Sequence, residues 1–174
     1  MLNYKRIWRH ASLTNVGLMI QSNDLIDFIS NIPLFESLTK KEVQTVSTYV
    51  RSQTLESGQT LFNQWDRAEC VCFVEQGALN VLTKNGPEEY EIVATLGRGR
   101  SIGEMSLIDN FPRAATVQSA SETNLVILTR AGFDDLMSNH HDLGVKILKG
   151  LARLLAQNLR KTSSRLADNM LPMG

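Results

Sequence analysis

"ECVCFVEQGALNVLTKNGPEEYEIVATLGRG", residues 69–99, holds three short runs rich in β-formers, each closed by a turn signal. "ECVCFVEQG" ends at Gln76-Gly77, "ALNVLTKNG" at Asn85-Gly86 and "YEIVATLGRG" at Gly97 and Gly99. Asn-Gly between two such runs is the strongest short hairpin signal, because both central residues of a type I′ turn need positive φ. The same texture continues on both sides. "RSQTLESG" and "QTLFNQW" precede the stretch, and "AATVQSA" and "TNLVILT" follow it. About eight short strands with regular turns predict a sandwich, a jelly roll or a small barrel over Arg51 to about Leu128.

Outside that region the pattern is helical. "SNDLIDFISNIPLFESLTKKEVQTVSTYV" places apolar residues near helical spacing and is broken at Pro33. In "SLTKKEV", Ser37 or Thr39 is an N-cap and Glu42 supports the first turn. At the other end, "GVKILKGLARLLAQNLRKTSSRLADNM" is one amphipathic segment, a helix over about 143–169. Leu148, Ala152, Leu155, Leu159, Thr162 and Leu166 recur at four-three spacing, a seam suited to a second copy of the chain. A helix of roughly 25 residues is ~40 Å long, too long to lie wholly on a small barrel.

The chain has 174 residues, which predicts one domain plus extra helix. We expect an N-terminal helical extension over 1–31 and a single domain over 32–170. Eighteen basic and eighteen acidic side chains cancel, so no global basic field favours nucleic acid. No apolar run approaches the roughly 18 residues of a membrane span. "MLNYKRIWRH" leads into no apolar core or cleavage site, and a cytoplasmic protein is expected. Cys70 and Cys72 share one face of a strand, where neighbours seldom form a good disulfide, and we read them as small hydrophobes. His10, His140 and His141 stand apart from other metal-ligand types and read as surface or packing residues.

One stretch breaks the strand texture. "IGEMSLIDNFPRAATV", residues 102–117, contains one acid of note, Glu104, and one base, Arg113. Gly103 permits a sharp turn, and "EMSLID" is one to two helical turns whose first N–H groups lack partners and favour an anion. Pro112 fixes the chain before Arg113, which can offer two parallel hydrogen bonds to anionic oxygens. Ala114 and Ala115 let a ligand approach the backbone, and Glu104 can accept from a hydroxyl. Together these groups describe a phosphorylated sugar. The residues alone leave a second reading open, in which Glu104 and Arg113 simply pair and close a loop.

The same stretch closely resembles the phosphate-binding cassette of cyclic nucleotide-binding domains, roughly F-G-E-L-A-L followed by P-R-A-A-T-V. The resemblance extends over about Ile32 to Leu166, and "LESGQTLFNQWDRAECVCFVEQGALNVL" is similar to the family's glycine-punctuated first strands. Ile102 stands where the family has an aromatic. The resemblance implies a mainly β fold, an eight-stranded jelly-roll β-barrel with N-terminal helices and a long C-terminal helix. It implies that Arg113 pairs with a cyclic phosphate and that Glu104 accepts from the ribose 2′-hydroxyl. Backbone around Gly103, Glu104, Met105, Ala114 and Ala115 would complete the cradle. Val81, Leu96 and Ile102 would form apolar walls.

"LLAQNLRKTSSRL" is similar to the dimer helix of catabolite-activator members of the family, where a Thr-Ser pair three residues after a leucine faces the adenine amino group. Thr162 and Ser163 follow Leu159 at that spacing. Family members selective for cyclic GMP usually carry Thr or Ser after the cassette arginine, whereas this chain has Ala114. Cyclic AMP is therefore favoured, with cyclic GMP second.

Only four residues follow Met170, so we expect no helix-turn-helix and no direct DNA binding. The expectation is a ligand sensor without catalysis, metal or cofactor. It would be a homodimer through its last helix, and an effector protein would read it in trans. Two rivals remain. One is a structural or interaction module of the same fold that binds no nucleotide. The other is a cupin-like metal enzyme, which the lack of histidine between Arg51 and Leu128 disfavours.

Overall fold

A computed structural model of the chain describes residues 23–84 and 89–170. The Asn85-Gly86 hairpin turn and most of the expected N-terminal extension lie outside the described residues. Among the described residues, eight strands form two four-stranded sheets. They are β1 (Val50–Leu55), β2 (Thr60–Phe62), β3 (Cys70–Gln76), β4 (Leu79–Lys84), β5 (Tyr90–Leu96), β6 (Ser101–Ile102), β7 (Thr116–Ser119) and β8 (Thr123–Thr129). The sheet orders are β1-β8-β3-β6 and β2-β7-β4-β5, with antiparallel pairing throughout. The architecture is the jelly roll flanked by helices.

The two central strands of the first sheet are buried on both faces, which explains their unbroken apolar runs. Along β3, Val71 and Phe73 face the helical layer, while Cys72 and Val74 face the opposite sheet. Along β8, Val126 and Leu128 join the helical layer and Leu125 and Ile127 the inter-sheet core. This is the two-residue period of a strand expressed as two separate cores. The second sheet contributes Leu79 and Val117 to the inner core and leaves Ile92 and Val93 on its β5 edge exposed.

Four α-helices cover the first sheet: α1 (Asn23–Ser30), α2 (Lys40–Ser47), α3 (Arg130–Asn139) and α4 (His141–Met170). A 3-10 turn at Pro33–Phe35 breaks the N-terminal helices at the expected proline. Thr39 caps α2 in a full capping box: its hydroxyl accepts from the Glu42 N–H at 3.4 Å, and its own N–H donates to Glu42 Oε2 at 2.8 Å. Such a cap stabilises by about 1 kcal/mol.

Leu143, Ile147 and Leu151, at i, i+4 and i+8, bury the first half of α4 against the helical layer. Gly150 allows this contact, because a Cβ there would collide with the Leu34 carbonyl oxygen. A further tie is the ion pair from Lys146 Nζ to Glu42 Oε1 at 2.7 Å. Beyond Leu155 the apolar side chains no longer reach the core, and Leu159 and Leu166 are 67% and 60% exposed.

Candidate functional site

The site is built where β6 ends. Two residues of β6 pair with β3, Ile102 opposite Cys72 and Ser101 opposite Phe73. Gly103 then turns the chain at φ 85° and leads into a 3-10 turn over Glu104–Leu107. Positive φ is strained for any side chain, which accounts for glycine here. The turn is fastened from below. Ser106, 2% exposed, places its hydroxyl 2.6 Å from the Gly103 carbonyl oxygen and 2.9 Å from that of Cys70, and Leu107 is buried in the helical layer. At the far end of the cassette, Arg113 N–H donates to Asp66 O at 2.8 Å and Trp65 N–H donates to Arg113 O at 2.9 Å. The cassette backbone is thus held on both sides while its top stays open: Met105 is 58% exposed.

Arg113 is the anomaly of the fold. Its side chain is buried at 6% exposure, stacked 4.0 Å over the Phe62 ring. Nη2 donates to the Cys70 carbonyl oxygen at 2.9 Å and lies 3.4 Å from Cys70 Sγ. Nε and Nη1 are buried with no hydrogen-bond partner. Nη1 lies against Gly103, where a Cβ would collide with it. None of the ion pairs among the described residues involves Arg113. Glu104 is occupied elsewhere, its Oε1 accepting from the Ser101 hydroxyl at 2.6 Å. The loop-closing Glu104–Arg113 pair is therefore not formed. A buried donor without an acceptor costs roughly 1–3 kcal/mol, and a charged one more. The fold keeps such a charge buried with donors that an acceptor from outside the chain could satisfy.

Beside the cassette, a cavity of about 280 Å³ separates the barrel from the second half of α4. That is near the lower end of small-ligand sites, roughly 300–1,000 Å³. Val81, Leu96, Ile102, Glu104 and Thr162, all expected at the site, line it together. Arg113 is outside the lining, but its guanidinium touches Gly103, whose neighbours Ile102 and Glu104 are part of it. Ala114 is exposed, and its carbonyl accepts from Gln64 Nε2 at 3.0 Å; Ala115 is half-buried. Ser163 is exposed and does not line the cavity.

The lining also contains residues that sequence reasoning missed: Arg100, Leu154, Asn158, Lys161 and Arg165. Leu154, Asn158, Lys161 and Arg165 recur at four-three-four spacing, one position before the seam. That periodicity was visible, but which stripe faces the barrel was not. A larger cavity, about 410 Å³, lies among Lys41, Glu42, His140 and Asp142 between α2 and α4. It holds no buried unpartnered group, so we place the site at the cassette.

Cys70 and Cys72 do share a strand face, with sulfurs 3.9 Å apart, and both are free thiols. Cys72 is fully buried in the inter-sheet core, as a small hydrophobe. Cys70 is only partly buried. A hydrogen bond from Cys72 and the neighbouring Arg113 guanidinium bring its thiol down to about 6, against the opposing effect of burial. Donation to Cys70 and burial push the Cys72 thiol up.

The class is a helix-flanked jelly roll in which a glycine-led turn lies beside a buried arginine. Residues 52–140 match the family model of the cyclic nucleotide-binding domain, and the chain belongs to that family. A cyclic nucleotide-binding domain from Methylobacillus flagellatus superposes with a TM-score of 0.74 at 26% identity, over 85% of this chain and 83% of the other. The cyclic AMP receptor protein of Thermus thermophilus is 29% identical, over 77% of this chain and 60% of its own. The regulatory domain of Toxoplasma gondii PKA, solved with cAMP, is 34% identical with a TM-score of 0.59, over 66% of this chain and 44% of the other. The chain spans less than two thirds of the length of curated relatives such as a putative potassium channel protein (28%), a cAMP-dependent protein kinase regulatory subunit (23%) and the Thermus protein (60%). Among the described residues, no helix is long and apolar enough to cross a membrane, and no group of three or more His, Cys, Asp or Glu could hold a metal ion.

Proposed function

We propose that the domain binds a cyclic nucleoside monophosphate, cyclic AMP in preference to cyclic GMP, between the cassette and α4. The observation that carries this reading is Arg113, buried with two guanidinium nitrogens unpartnered and without Glu104 as its counter-ion. Binding would exchange the Cys70 carbonyl for a cyclic phosphate, which accepts from several nitrogens at once. Glu104 would release Ser101 and accept from the ribose 2′-hydroxyl. N–H groups at the start of the turn, on Gly103, Glu104 and Met105, together with Ala114 and Ala115, would complete the cradle. Val81, Leu96 and Ile102 offer the apolar walls, and Thr162 offers its hydroxyl to an adenine amino group, whereas Ser163 lies outside the lining. Ala114 has no hydroxyl to offer a guanine. Cyclic AMP is also what the Toxoplasma domain was solved with and what the Thermus relative is named for.

The output follows from α4. Its first half is fixed by Leu143, Ile147 and Leu151, and its second half meets the barrel across the cavity. A base held there favours one position of that half over others, which shifts the helix population. The exposed Leu159 and Leu166 fit a second copy along the same half, and an effector reading the altered helix surface completes the signal. The role is that of a sensor, not an enzyme. A thermal-shift panel tests it: cyclic AMP at ~100 times its Kd should add about 2.7 kcal/mol and raise Tm by several degrees. Cyclic GMP should do less. No shift with any cyclic nucleotide would sink the reading.

A further inference from the structure

The nucleotide reading uses Arg113 but leaves Cys70 without a task. Three observations set this thiol apart. It is the partly exposed member of the pair, and it is one of the residues lining a surface cleft of about 380 Å³, with Ala68, Asn110 and Thr129. Its sulfur lies 3.4 Å from Arg113 Nη2, a guanidinium more than nine-tenths buried whose other two nitrogens have no partner. The Cys72 sulfur, 3.9 Å away on the same face, offers a second weak donor. A thiol between a buried cation and a second thiol has strong thiolate character, and thiolates are the form that peroxides oxidise. The lowered Cys70 pKa agrees with this geometry.

We propose that Cys70 is an oxidant-sensitive modification site, at which a hydroperoxide converts the thiolate to a sulfenate that Arg113 holds. The sulfur attacks one peroxide oxygen, a sulfur–oxygen bond forms and the oxygen–oxygen bond breaks. Sulfur loses two electrons to the peroxide. The sulfenic proton passes to the departing hydroxide or alkoxide, which leaves as water or alcohol. The added oxygen is an anionic acceptor beside Nη2, on a guanidinium whose other two nitrogens lack a partner. Closure to a Cys70–Cys72 disulfide is opposed by the ladder, because both residues are paired with β8, Cys70 with Thr129 and Cys72 with Ile127. Bridging neighbours on a strand held in register requires backbone movement. A thiol reductant returns the sulfenate to the thiolate.

The consequence rests on the reading that Arg113 is the phosphate partner. A sulfenate at Cys70 occupies the guanidinium that the phosphate needs, so oxidation weakens nucleotide binding. Linkage requires the reverse as well: nucleotide that draws Arg113 away favours the reduced thiol over the sulfenate at equilibrium.

The test uses the full chain, reduced and then treated with hydrogen peroxide and a sulfenate-selective dione probe, with peptide mass mapping over time. Cys70 should be labelled about tenfold or more faster than Cys72, and about tenfold slower in Arg113→Met, or in Arg113→Gln should the first not fold. Cys70→Ser should abolish both the label and the oxidant response. Cyclic AMP titrations should show roughly tenfold weaker binding after oxidation, restored by dithiothreitol. Equal labelling of the two cysteines, labelling indifferent to Arg113, or loss of two hydrogens in place of one added oxygen overturns the proposal. So does unchanged affinity in an oxidised protein whose reduced form binds cyclic AMP, and the nucleotide reading then survives. Should the reduced protein bind no cyclic nucleotide, that reading fails, and the dependence of Cys70 labelling on Arg113 still decides this one.

Discussion

Arg113 donates to the carbonyl oxygen of Cys70 at 2.9 Å and makes no ion pair with Glu104, the acid nine positions before it in the same cassette. One donor of the guanidinium is satisfied by backbone, the ring of Phe62 covers its face, and two nitrogens are orphaned. A fold optimised only for stability would not keep such a group. On the proposed reading its presence is the compromise of a binding site, in which unliganded stability is lower than it could be.

Replacing the group should therefore stabilise the free protein. In Arg113→Met the two orphaned donors disappear while much of the side-chain volume remains. Relief of about 1–3 kcal/mol for each donor is offset by the lost Cys70 bond and the lost contact with Phe62. We expect a net gain of about 1 kcal/mol, a rise of roughly 2–4 °C in Tm by calorimetry without ligand. A fall in Tm would show that the arginine is a structural element.

Glu42 joins the cap of α2 to the first turns of α4. The hydrogen bond from Lys146, and then that from the Thr39 backbone, lower its carboxyl from 4.5 to about 2. A depressed carboxyl stabilises the fold above its unfolded pKa, and that contribution fades as pH falls from about 4.5 towards 2. Lys146 is 41% exposed, so solvent screening reduces the pair to about 1 kcal/mol. Glu42→Gln should melt about 2–4 °C below the parent at pH 7. The gap should close as the pH drops through that window; a gap that widens in acid contradicts the assignment.

The position of α4 bears on self-association. Leu148 and Leu155, both on the seam, pack partly on the chain's own helical layer, whereas Leu159 and Leu166 are exposed. Leu159→Lys therefore tests pairing without disturbing the core, which Leu155→Lys would not. Sedimentation should show a dimeric parent and a variant shifted towards monomer. A parent that sediments as a monomer removes the pairing role of the seam.

Much of this was legible beforehand, and the failures share a cause. Gly77 and the apolar runs of β3 and β8 fixed the β region, because turn chemistry and alternation are local. The box of Thr39 and Glu42 was readable for the same reason. β6 was not, since two residues, Ser101 and Ile102, are too few for any period. On α4, spacing revealed a stripe but not its phase against the barrel, so Lys161 and Arg165 went unnoticed beside Thr162. The resting partner of Arg113 was also hidden. It is a carbonyl 43 positions away on β3, which only the folded chain brings near.

The central claim is that Arg113 waits for a cyclic phosphate. Isothermal titration of cyclic AMP into the parent and into Arg113→Met tests it most directly. The account predicts a loss of about 2–5 kcal/mol, ~30-fold to several thousandfold in Kd. An unchanged Kd in a variant that is folded would contradict it.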